Sequence, residues 1–169
     1  ATISVMFFWL ASNRRYTIRM NQRDLLIQSI LIACGVAFSW TTIISLFVAL
    51  YASTGTIFSP GIGLITNPVF TPCFYGGLAF IAAFAWSLQL FLSYSRSSQR
   101  YLSYFLLFGV CFAASVIGVE LCQYYRVLGG PIIACVPGVY PLTGPCAIGG
   151  LIYLISFIWS RITLRLTHD

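Results

Sequence analysis

The chain has 169 residues, of which 59% are hydrophobic and only 7% charged. Soluble domains carry roughly a quarter charged residues, so a soluble globular fold is excluded. The net charge of +6 rests on nine basic residues, all arginine, set between apolar stretches; this is a membrane-topology signal and argues against nucleic acid.

Residues 1–24 read as an N-terminal interfacial segment and a basic stretch. Ala1–Ala11 is apolar but, at about 1.5 Å per residue, reaches only about half a bilayer. It reads as an interfacial helix or the end of a truncated further span. The arginines follow it instead of preceding it, which is not signal-peptide order. Asn21 is placed to cap a helix that carries Asp24 in its first turn.

Residues 25–94 form the first expected unit. No charged residue occurs from Leu25 to Ser95, a run far longer than the ~20 residues one span needs. The first span should run from Leu25 to about Tyr51. Its Gln28, Ser39, Thr41, Thr42 and Ser45 should face other helices or bond to their own backbone. The loop from Ala52 to Pro72 is rich in Gly, Pro, Ser and Thr, yet carries Ile57, Phe58 and Phe70, as expected of a cap on the helix ends. The second span should run from about Cys73 to Tyr94, with Ala79, Ala82, Ala83 and Ala85 as a small-residue packing face.

Residues 95–169 form the second unit. A polar turn with Arg96 and Arg100 leads into a third span from Tyr101 to about Tyr124. There Gly109/Ala113 and Ala114/Gly118 are small-xxx-small pairs. A second loop runs to Pro145. The fourth span runs from Cys146 to about Ile162, and a tail with Arg161, Arg165 and His168 closes the chain. Cys34 and Cys111 lie inside the first and third spans, where buried cysteines act as small hydrophobes.

The two units resemble each other. Pro68–Ser87 and Pro141–Ser160 match at nine of twenty positions without a gap. The matches include Pro72/Pro145, Cys73/Cys146, Gly76/Gly149, Gly77/Gly150 and Trp86/Trp159. The first and third spans share Gly35/Gly109 and Phe38/Phe112. The expected fold class is therefore an all-α integral membrane protein. It has four transmembrane helices as two parallel repeats of helix, outer loop and helix. Eight arginines (Arg14, Arg15, Arg19, Arg23, Arg96, Arg100, Arg161, Arg165) fall on one side and Arg126 alone on the other. The positive-inside rule then puts both termini of this multi-pass protein on the cytoplasmic side and both Pro-Cys motifs outside.

Few residues carry chemistry. Cys73 and Cys146 each follow a proline at a helix N-terminus, a position that favours thiolate. Cys122 and Cys135 fall on the same side. Four cysteines facing an oxidising compartment point to two structural disulfides, with three possible pairings; redox-active thiols are the alternative. Glu120 is an acid within a span and so a functional hypothesis. Its place near Gln123, Tyr124 and Arg126 fits a paired interfacial group, or the polar anchor of a carrier. Trp86 and Trp159 fit interfacial anchoring. No metal and no cofactor is expected, although the aromatic faces leave room for a lipid, quinone or pigment.

Four spans, both ends inside and four outer cysteines in two loops look like the bacterial disulfide-bond formation protein B family, quinone-linked thiol oxidases. In that family a Cys-x-x-Cys follows a proline at the start of the second span. Here Pro72-Cys73 fits the first half, and Gly76 stands where the second cysteine would be. Cys122 and Cys146 would stand in for the second-loop pair. The resemblance implies a membrane thiol–disulfide oxidoreductase working through Cys73, Cys122, Cys135 and Cys146.

The leading expectation from the residues themselves is non-catalytic: a small accessory subunit packing within a larger membrane protein complex. Its expected partners are membrane lipid and other transmembrane proteins. The oxidoreductase comes second, and a small-solute or lipid carrier third.

Overall fold

A computed structural model describes residues 22–58, 61–62, 65–127 and 139–166. The N-terminal segment with Arg14, Arg15, Arg19 and Asn21, together with Cys135 and His168, lies outside the described residues. Four helices dominate: α1 (Gln22–Thr54), α2 (Pro72–Leu92), α3 (Arg96–Tyr124) and α4 (Pro145–Leu166). All four are long and apolar enough to cross a membrane; even α2, with 21 residues, spans about 30 Å. The long elements are thus all helical and suggest a multi-pass membrane protein, with one small irregularity. Between α1 and α2, β1 (Gly61–Ile62) and β2 (Ile65–Thr66) form a two-residue antiparallel ladder.

The helix boundaries have local causes. Gly55, at φ 71°, turns the chain out of α1, the left-handed step that glycine makes at a helix end. Pro72 and Pro145 open α2 and α4, at the position where a missing N–H costs nothing. A short 3-10 turn precedes each, Pro68–Phe70 and Pro141–Thr143. Asn67 fixes the first of these turns. Its Oδ1 accepts from the Val69 N–H at 3.1 Å, and its Nδ2 donates to the Ile57 carbonyl at 3.2 Å. Beyond α3, Arg126 sits at φ 58°.

The helices form a ring in the order α1, α2, α3, α4, closed by α4 against α1. Ile32, Phe80, Ala83, Leu90, Leu102, Leu106 and Tyr153 make the core. Lipid is as apolar as a leucine side chain, so burial gives little drive here, and close approach has to supply the contact. Glycine supplies it. Gly35 lies directly under the Phe80 ring, and a Cβ on Gly109 would stand 2.6 Å from the Tyr153 ring. The two rings stack on each other, with centroids 3.8 Å apart and planes 13° apart. Ile43 lies against Gly77, and Ala113 against Gly150.

Several expectations need correction. Gly118 has nothing within 4 Å, so Gly109/Ala113 packs and Ala114/Gly118 does not. Of the alanine face on α2, Ala83 is buried, while Ala82 and Ala85 are exposed. Cys34 and Cys111 point away from the bundle. The tryptophans tie helix ends together: the Trp86 indole N–H donates to Ser98 Oγ at 2.7 Å, and that of Trp159 to the Asp24 carbonyl at 3.0 Å. The hydroxyls of Ser39, Thr41, Thr42 and Ser45 bond to the backbone of their own helix, as expected.

Candidate functional site

The diagonal between α2 and α4 closes at the end where both helices begin. Cys73 and Cys146 are each the second residue of their helix. Their sulfurs are 3.5 Å apart. Neither residue is among the free cysteines, and both are disulfide-bonded. Two helix N-termini converge on the pair, and the helix dipoles place partial positive charge beside the sulfurs.

Directly below the sulfurs lies an apolar cavity of about 50 Å³. All six residues expected at the repeat helix starts line it together with two of the candidate cysteines: Pro72, Gly76, Gly77 and Cys73 from α2, with Pro145, Gly149, Gly150 and Cys146 from α4. Gly76 has no neighbour within 4 Å of its missing Cβ, and Gly149 has only the edge of Phe80 at 3.9 Å. The first glycine of each pair therefore lines open space, and the second lets a neighbouring helix approach. Phe80 and Tyr153 form part of the wall. The Tyr153 hydroxyl donates to the Gly76 carbonyl at 3.0 Å and links α4 to α2.

The remaining candidates lie apart. Cys122 is a half-buried free cysteine near the end of α3 and does not line the cavity. Glu120 is buried, 5% exposed, and is likewise not in the wall. Beside the second 3-10 turn, Tyr124, Tyr125 and Tyr140 cluster, with Tyr140 edge-on to Tyr124 and its hydroxyl 3.4 Å from that of Tyr125. That hydrogen bond, chiefly, holds the Tyr140 phenol above its ordinary value of 10.0; the like charge Tyr125 would carry adds to it.

At the opposite end, the other diagonal is polar. Gln28 and Gln99 are fully buried and pair amide to amide, at 2.6 and 3.4 Å. Gln99 Nε2 also donates to Ser160 Oγ at 3.0 Å, and Ser29 and Ser87 share a hydrogen bond of 2.7 Å. Neither this network nor the Phe80–Tyr153 stack was among the candidate site residues. Both had a signal: Phe80 and Tyr153 are aromatic at one register of the repeated stretch, and Ser87 and Ser160 match in it.

Among the described residues no group of histidine, cysteine and carboxylate residues could hold a metal ion. Comparison of the chain with protein-family models, curated proteins and solved structures finds no match.

Proposed function

We propose that this is a four-span membrane protein of two parallel repeats, with both termini cytoplasmic, that exchanges thiols and disulfides through Cys73 and Cys146. The observation that carries the reading is the 3.5 Å approach of two sulfurs from separate helix N-termini above an apolar cavity. The repeat is supported by matched positions doing matched work. Gly35 underlies Phe80 as Gly109 underlies Tyr153, and Trp86 binds Ser98 as Trp159 binds Asp24.

Once an external dithiol has reduced them, the Cys73 and Cys146 thiols release two protons and two electrons as an S–S bond forms between them. A quinone dissolved in the bilayer accepts both and leaves as the quinol. The apolar wall beside the sulfurs suits such a ring. The cavity, about 50 Å³, is smaller than the ~150 Å³ that receives a benzene ring. The ring therefore meets the sulfurs at the open side of the cavity. Cys122 and Cys135 are the candidates for relaying electrons from an external dithiol.

A second reading has its own observation. Outside the helices at the cysteine end, Phe58 is 87% exposed, Phe70 68% and Val127 74%. Such a surface suits cover by another membrane protein. In that accessory subunit the sulfurs would be a static link. One experiment separates the two. Cysteines in native membranes are labelled with an impermeant maleimide, before and after mild reductant, and links are mapped by mass spectrometry. Exchange predicts that Cys73 and Cys146 change state under mild reductant and return on adding a soluble quinone. Sulfurs that stay linked below about −300 mV, where structural disulfides lie, would leave the accessory reading standing.

A further inference from the structure

The arginine end holds a second cleft, of about 440 Å³, lined by Arg96, Arg100 and Tyr104 of α3 and by Arg161, Leu164 and Arg165 of α4. We infer that it binds the phosphate headgroup of an anionic phospholipid. Four guanidinium groups reach it from two helices, and among the described residues none of the four is paired with a carboxylate. Topology alone asks for arginines on one side of the membrane. It does not ask for four of them to converge on one cleft with no carboxylate among the described residues that line it. Guanidinium is the cation best shaped to bind phosphate oxygens in pairs, and basic clefts between spans are where lipid headgroups settle.

The surroundings favour lipid over free phosphate. Arg96, Arg100 and Tyr104 recur every fourth residue along α3, and the next position is Phe108, 67% exposed. On α4, Arg165 and Arg161 are followed on the same face by Ile158, 49% exposed, and Leu154, 38% exposed. The cleft thus passes from cationic to apolar along one helix–helix furrow, matching a headgroup with its acyl chain. Tyr104, lining the cleft and 54% exposed, stands at the change, where an amphipathic ring belongs.

The test uses the full chain in nanodiscs of phosphatidylcholine with about 10 mol% phosphatidylglycerol, released into mild detergent and weighed by native mass spectrometry. The wild type should retain phosphatidylglycerol well above its share of the bilayer. Arg100→Gln with Arg161→Gln should cut that retention about tenfold, and Arg126→Gln, at the other end, should leave it unchanged. Should the glutamine pair fail to fold, the wild type still decides: raising salt from about 0.1 to 1 M, which shortens screening to about 3 Å, should release the lipid. Retention at the bulk lipid ratio, or retention indifferent to both arginines and salt, would overturn the inference. Competition by soluble pyrophosphate as strong as by lipid would overturn the assignment to lipid.

Discussion

Across one diagonal of the bundle, α2 meets α4 through sulfur, glycine and stacked rings; across the other, α1 meets α3 through Gln28 and Gln99. Each contact sits at an opposite end, and each solves the same difficulty. In lipid, apolar side chains gain little by leaving one apolar surface for another. The cysteine end answers with shape, using glycines so that rings pack on backbone. The arginine end answers with hydrogen bonds between groups that lipid would leave unpaired. The first kind of contact fails when atoms are added. The second fails when one partner is taken away, and recovers when both are.

The largest effect should come from adding atoms at the cysteine end. In Gly109→Val, the new Cβ would stand 2.6 Å from the Tyr153 ring, and overpacking of this kind costs about 1–3 kcal/mol. Gly118→Val, on the same helix with open space around it, should cost much less. Denaturation in mixed detergent micelles, followed by circular dichroism, measures both. Equal losses would mean that the general cost of a β-branched residue is being measured, and not the ring contact.

The polar diagonal should give a smaller and reversible effect. Gln99→Leu strands the buried Gln28 amide and removes the donor to Ser160. An unsatisfied buried polar group costs about 1–3 kcal/mol, less in membranes, where coupling averages about 0.6 kcal/mol. Adding Gln28→Leu should recover most of the loss. A double variant as unstable as the sum of the single ones would show that the amides are not a mutually satisfied pair.

The helices were legible because runs of apolar sequence bounded by arginine and proline have few other outcomes. The starts of α2 and α4 fall one residue before the expected Cys73 and Cys146, at the prolines themselves. The convergence of Pro-Cys and Gly-Gly from both stretches on one cavity was prefigured by their shared register, although sequence gave no distance. Which face of a helix meets protein was not legible. Gly109/Ala113 and Ala114/Gly118 carry the same signature on one helix, and only the first packs. Amphipathicity usually separates such faces, but a helix between protein and lipid is apolar on both. For the same reason Cys34 and Cys111 were expected inside and lie outside. Gln99 was hidden differently: it stands in a stretch that reads as a polar turn but forms the first turn of α3, and there a buried amide looks like a solvated one.

The smallest effect belongs to the tyrosines above α3, and it tests whether the cysteine end is ordered beyond its helices. The Tyr140 phenol is held above 10.0, first by its hydrogen bond with Tyr125. A raised value means that the folded state prefers the neutral phenol. Whatever this contact contributes is therefore fully present below pH 10 and is lost as pH rises through the folded value. Tyr125→Phe should bring the Tyr140 titration down toward its ordinary value, read as the tyrosinate absorbance that Tyr140→Phe removes. An unshifted titration would mean that Tyr125 and Tyr140 do not share a proton contact, and that the second 3-10 turn is not tied to the end of α3 by this bond.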